Sequence, residues 1–231
     1  PIKKNIMKKI ITVLFLFLIS LQIQGKKPKL VVGIVVDQMR FDYVDRFWND
    51  FGNNGFKKII NEGYFYKNTH FSYAPTYTGP GHASIFTGTT PANHGIIANN
   101  WYDKELKKSV YCAGNGDMHT ICNCEQNVVD ISSEDGKMSP HHMLTTTIGD
   151  EIQLFNPESK VIGISLKDRG AILSAGHSAD AAYWMDSHGD WISSSFYMDN
   201  LPDWLINFQN QKPSSEYMPS KWELENYFSH D

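Results

Sequence analysis

Positive charge is in short supply in this 231-residue sequence: Lys plus Arg number 21 against 25 Asp plus Glu, a formal net charge of −4. Such a balance offers no broad electrostatic footprint for nucleic acid, and any anion-binding site must be local. Cysteine is equally scarce. Cys112, Cys122 and Cys124 form a Cys-x9-Cys-x-Cys order that lacks the paired CxxC spacing of structural zinc sites. In an exported protein a local disulfide with one cysteine left over is the expectation, its pairing open. Internal repeats and low-complexity tracts are absent, and no apolar run is long and clean enough for a comfortable membrane span. Hydrophobic residues make up 41% and aromatics 13%, which excludes disorder, collagen and coiled coil. The length suits one domain with a real core, or part of a larger one.

The first 25 residues stand apart. Lys3, Lys4, Lys8 and Lys9 precede an apolar run from Ile10 to Ile23, interrupted by Thr12, Ser20 and Gln22 and followed by Gly25. This is the pattern of a secretory signal peptide; an uncleaved N-terminal anchor is the alternative. Met-Lys-Lys from Met7 reads as the natural start, with residues 1–6 upstream of it. No cysteine follows the run, so a lipoprotein anchor is not expected, and with the signal peptide removed no stable membrane anchor is expected. Removing residues 1–25 takes away four Lys and no acid, deepening the charge from −4 to −8. The mature protein is expected to be periplasmic or secreted.

Residues 26–231 read as an α/β domain. Leu30–Val36 is a Val-rich run that fits a strand buried on both faces, as in a parallel sheet. Phe56–Glu62 predicts a short helix stopped by Gly63, Tyr64–Tyr73 a second strand, and Gly81–Thr87 another helix. Residues 101–137, approximately, read as a surface excursion. Ser139–Pro140 predicts a helix start with Ser as cap, running to about Phe155. Val161–Leu166 predicts a buried strand, Ala171–Leu173 and Ala181–Met185 strands of a separate layer, and Leu201–Gln209 and Lys221–Phe228 helices. Alternation of strand and helix predicts a mostly parallel sheet sandwiched by helices.

In such a sheet ligands sit outside the carboxyl ends of the strands. Asp37 and Lys167-Asp168-Arg169 each follow a predicted strand and are candidates for one site. Arg offers a bidentate fork to phosphate oxygens and Lys a point charge. The stretch Pro75-Thr-Tyr-Thr-Gly-Pro-Gly-His-Ala-Ser sets the Thr78 hydroxyl at a helix N-terminus, where free N–H groups favour an anion. A threonine hydroxyl needs a base or a metal before it attacks anything. His82 and His94 flank this helix and read as structural.

Together, Leu30–Tyr43, Ala74–Gly88, Thr89–Asp103 and Ile164–Ile172 resemble the N-terminal half of the alkaline phosphatase superfamily. The likeness is strongest to exported bacterial phosphate-irrepressible alkaline phosphatases with a Thr nucleophile. Its specific content is the order Asp37, Thr78-x-Pro-x-His82, His94-Gly-Ile-x-x-Asn99. The resemblance implies hydrolysis of small phosphate monoesters through a phosphothreonine at a two-zinc site. It makes Asp37 a zinc ligand, Thr78 nucleophile and zinc ligand, and Asn99 a donor to a phosphoryl oxygen, with Asn100 the alternative one residue on. Lys167 and Arg169 would contact the transferred group.

One departure is large. The family takes its other zinc ligands from an Asp-x-x-x-His, an Asp-His and a later His. None of the nine His here has Asp four residues before it or directly before it. The expectation is a truncated reading frame that holds the nucleophile half of the site. A phosphodiesterase or nucleotide pyrophosphatase of the same superfamily, and a non-catalytic binding protein with a degenerate metal site, are the alternatives. A sulfatase is disfavoured, because Thr cannot become formylglycine and His82 stands where that motif has Arg.

Overall fold

A computed structural model of the protein describes residues 28–123, 129–130 and 133–212. The signal-peptide region, Cys124 and the expected helix at Lys221–Phe228 lie outside the described residues. The chain divides into two units, one reaching Met39 and the other starting at Arg40.

In the first unit, residues 28–36 form no helix or strand and lead to a turn at Asp37–Gln38, where the Met39 N–H donates to the Val36 carbonyl at 3.4 Å and Gln38 takes a φ of 61°. Leu30–Val36 is not the buried strand its composition predicts. Among the described residues no strand pairs with it, and Leu30, Val31, Val32 and Ile34 are exposed, Leu30 at 79%. An apolar run becomes a strand only through a neighbour's hydrogen-bond ladder, and none is supplied among the described residues.

The second unit runs α1 (Asp42–Arg46), α2 (Phe56–Glu62), α3 (Thr78–Thr87), α4 (Pro91–His94), β1 (Asn100–Asp103), β2 (Lys108–Tyr111), β3 (Thr120–Ile121), β4 (Val129–Asp130), α5 (Ile148–Phe155), β5 (Ile162–Ile164), α6 (Asp168–Ala175), β6 (Ala181–Met185), β7 (Trp191–Ser194) and α7 (Asp203–Asn210). β1 and β2 form a separate hairpin; the main sheet has the order β4-β3-β7-β6-β5. β5 and β6 are parallel and joined by the α6 crossover, while the other pairs are antiparallel. The fold is α/β as expected, and the part of its sheet within the described residues is mixed.

Several elements differ from their sequence expectations. Ala171–Leu173 is not a strand but the fully buried middle of α6. A short apolar run serves either element, and the acidic first turn at Asp168 and the stop at Gly176 decide for helix. β6 belongs to the same sheet as β5, not to a separate layer. Tyr64–Tyr73 forms no strand, and its rings pack on one another, Tyr64 with Tyr66 and Phe71 with Tyr73. The helix expected from Ser139 starts only at Ile148. The Ser139 hydroxyl is taken by Asn115 at 2.9 Å and the His141 N–H at 3.3 Å, while Thr147 and Asp150 form the capping box. The stretch at about 101–137 sends Val110, Cys112, Ala113 and Ile121 into the core.

α6 is the centre of the unit, packed on α3 and on β5 and β6. Ala171, Ile172 and Leu173 join Ala83, Ile96, Cys112, Trp184 and Ile192 in the main core. The approach of β5 to α6 requires glycine: a Cβ on Gly163 would collide with the Ala171 carbonyl and stand 2.9 Å from the Ala175 Cβ. A second cluster, Ile121, Ala181, Tyr183, Leu201 and Leu205, lies under α7.

Candidate active site

Two helix N-termini build the site. α3 begins at Thr78, preceded by Tyr77 in extended conformation, and Thr78 is half-buried while Gly79, Pro80 and Gly81 are buried. The Gly79 N–H donates to Asn99 Oδ1 at 2.7 Å, so Asn99, from the loop before β1, is held beside Thr78. A Cβ on Gly79 would stand 3.0 Å from Asn99 Oδ1 and 3.2 Å from Cys112 Sγ. The absent side chain is what lets three chain segments meet there. The Cys112 N–H in turn donates to the Asn99 carbonyl at 2.9 Å.

α6 opens with Lys167 as its exposed N-cap residue, followed by half-buried Asp168 and Arg169. Arg169 Nη1 donates to the Tyr111 hydroxyl at 2.9 Å, and that hydroxyl donates to Asp168 Oδ1 at 2.8 Å. Arg169 Nε is buried and has no hydrogen-bond partner among the described residues. Burial, and then the nearby Asp168 charge, push the Tyr111 phenol above its ordinary pKa. Burial pushes the Cys112 thiol up to about 12, so this free cysteine is an inert thiol; Cys122 is disulfide-bonded.

Two contacts tie these helix ends together. Cys112, against Gly79, directly follows Tyr111, which binds Arg169. His82 Nδ1–H donates to the Thr78 carbonyl at 2.8 Å, and His82 Nε2 lies 3.8 Å from the Cβ position of Gly170, the residue after Arg169. Thr78, Asn99 and Arg169 therefore share one neighbourhood, with Lys167 at its α6 end. Asp37 lies in the first unit, exposed in its turn. Asn100, the alternative to Asn99, is the exposed first residue of β1.

His94 is structural, as expected. It is fully buried, its Nδ1 accepts from the Ile96 N–H at 3.2 Å and its Nε2–H faces Ser84 Oγ at 2.9 Å. Burial lowers its pKa and keeps it neutral. Tyr111 and Cys112 escaped the sequence reading. Tyr111 is 58 residues from Arg169, and no local pattern links them.

Among the described residues no three of His, Cys, Asp and Glu gather closely enough to hold a metal ion. Asp37 and Thr78, which the sequence resemblance assigns to a metal site, are not part of any such group.

The architecture is that of an alkaline phosphatase. The crystal structure of wild-type alkaline phosphatase PafA matches with a TM-score of 0.80 at 43% identity, over 86% of this chain and 37% of that one. A second PafA structure, a variant with one threonine, one asparagine, one lysine and one arginine replaced, also scores 0.80, at 41% identity over 86% and 38% of the two chains. In sequence the chain is 48% identical over 198 residues to alkaline phosphatase PhoV of Synechococcus elongatus, covering 85% of this chain and 34% of PhoV. The chain belongs to the type I phosphodiesterase / nucleotide pyrophosphatase family, whose model matches residues 31–229. It spans about a third of the length of these relatives. No helix among the described residues is long and apolar enough to cross a membrane.

Proposed function

We propose that the protein carrying this sequence is a periplasmic or secreted hydrolase of small phosphate monoesters that uses Thr78 as nucleophile. The Thr78 oxygen attacks phosphorus, the ester oxygen departs with its bonding pair, and water later cleaves the phosphothreonine. The observation that carries this reading is the meeting of Thr78, Asn99 and Arg169 at two packed helix N-termini. Asn99, with its Oδ1 held by Gly79, keeps Nδ2 as the donor to a phosphoryl oxygen. Arg169 and Lys167 supply fixed positive charge, the main contribution a protein makes to phosphoryl transfer. The PafA variant supports the same four positions: its replaced Thr and Asn, and its replaced Lys and Arg, have the spacings of Thr78–Asn99 and Lys167–Arg169.

Alkaline phosphatases are metal-dependent, and zinc is the ion we assign, to lower the pKa of the attacking hydroxyl. Asp37 and Thr78 are the residues the family resemblance assigns to zinc binding, and among the described residues no three of His, Cys, Asp and Glu gather to hold an ion.

Thr78→Ala in the full-length protein should reduce turnover of an aryl phosphate by roughly a thousandfold or more while inorganic phosphate still binds. Wild-type turnover in that variant overturns the assignment. The family's own description favours a second reading, phosphodiester hydrolysis. A monoester carries one more negative charge than a diester, and Lys167 with Arg169 favours it. A bis-aryl phosphate with the higher kcat/KM would reverse the ranking.

A further inference from the structure

We propose that Tyr111 is a positioning residue for Arg169: its hydroxyl stands between the Asp168 carboxylate and the Arg169 guanidinium and keeps the fork free for substrate. This rests on the reading of Arg169 as a phosphoryl-oxygen ligand.

Asp168 and Arg169 are adjacent at the start of α6 and both reach the Tyr111 hydroxyl, so a carboxylate lies two hydrogen bonds from the guanidinium. Among the described residues Arg169 makes no ion pair, with Asp168 or any other acid. The Tyr111 oxygen takes that place, 2.9 Å from Arg169 Nη1 and 2.8 Å from Asp168 Oδ1. The direction of both bonds is forced. A guanidinium only donates and an ionised carboxylate only accepts, so the one phenolic proton goes to Asp168 and a lone pair faces Nη1–H. With its pKa raised by burial and by Asp168, the phenol keeps that proton under alkaline conditions, and the relay holds where such an enzyme would work.

Tyr111 is itself fixed from the nucleophile side. The next residue, Cys112, is fully buried, donates its N–H to the Asn99 carbonyl at 2.9 Å and lies against Gly79. The Tyr111-Cys112 pair is therefore the joint between the helix that carries Thr78, the loop that carries Asn99 and the helix that carries Arg169. It transmits the position of the first two to the third.

The test uses the full-length protein and Tyr111→Phe, which deletes the oxygen and keeps the ring. kcat/KM for an aryl phosphate should fall roughly ten- to a hundredfold, and inhibition by inorganic phosphate should weaken in parallel, with the melting temperature close to wild type. In an Arg169→Ala background the same change should cost nothing further, because there is no guanidinium left to place. Adding Asp168→Ala to Tyr111→Phe should restore part of the lost activity by removing the competing carboxylate. The proposal is overturned if Tyr111→Phe leaves both constants unchanged, if its loss multiplies with that of Arg169→Ala, or if Asp168→Ala restores nothing. An Arg169→Ala variant with wild-type kinetics and phosphate inhibition would instead sink the underlying role of Arg169.

Discussion

Gly79 is a tight point of the site. The helix it belongs to would tolerate alanine, which is favoured over glycine by about 1 kcal/mol in a helix interior. The space would not: an added Cβ sits 3.0 Å from Asn99 Oδ1 and 3.2 Å from Cys112 Sγ, closer than such atoms ordinarily pack. Gly79→Ala should therefore leave the melting temperature nearly unchanged but shift Asn99 and lower kcat/KM about tenfold. Steady-state kinetics beside a thermal melt checks this, and unchanged kinetics would show that Asn99 has room to give. The same residues show what a sequence can and cannot disclose about a site. Thr78 stands out in the sequence as a hydroxyl ahead of a helix and Arg169 as a cation after a predicted strand, while Asn99 is singled out only by the family resemblance. Tyr111 is not singled out at all, since its part depends on a contact closed only when β2 folds against α6.

α5 shows how a local signal can be misplaced and still rest on sound chemistry. Ser139-Pro140 and Thr147 both offer a hydroxyl ahead of a helical stretch, but only Thr147 has a carboxylate three residues on that returns a bond to its N–H, at 2.7 Å. Asp150 does more than cap. It accepts from the Ser178 N–H at 2.7 Å and hydroxyl at 2.8 Å, and from His177 Nδ1 at 3.5 Å, so it pins the start of α5 to the turn after α6. Burial raises the Asp150 pKa, but the bonds from His177, Thr147 and Ser178 outweigh it and hold the carboxyl well below the usual range. His177, bonded to Asp150 and donating from Nε2 to the Met143 carbonyl at 2.9 Å, is shifted upward, the Asp150 bond being the largest cause. A carboxyl lowered by folding stabilises fully above its unfolded pKa of about 4 and loses that contribution as pH falls through the folded value. A histidine raised by folding stabilises fully below about 6.5 and loses that contribution as pH rises through its folded value. The pair is thus strongest between about pH 4 and 6.5. Urea midpoints should decline on both sides of that window, and His177→Gln should flatten the alkaline decline. An alkaline limb unaltered by His177→Gln would assign it to other groups.

The strands were less legible than the helices for a physical reason. Helix signals such as the stop at Gly63 are local, whereas Leu30–Val36 and β5 depend on neighbours that composition does not specify. β5 ends the sheet order, so among the described residues one of its edges is unpaired, and Ile162, Ile164 and Leu166 are exposed, as are Leu154 and Phe155 of α5. Exposed apolar side chains and an open strand edge favour association. The chain also spans only 34% of PhoV and carries neither an Asp-x-x-x-His nor an Asp-His sequence. Expressed alone, these 231 residues should therefore self-associate, bind zinc weakly and hydrolyse no aryl phosphate, because a zinc centre needs three or four ligands in fixed geometry. Sedimentation velocity over a range of concentrations and equilibrium dialysis against zinc test the two claims separately. A monodisperse monomer would mean that the exposed faces are covered from within the chain. Two tightly held zinc ions per chain would mean that ligands outside the described residues complete the centre. Only the second result would bring the remaining zinc ligands into this sequence, and the expectation that these 231 residues are inactive would fall with it.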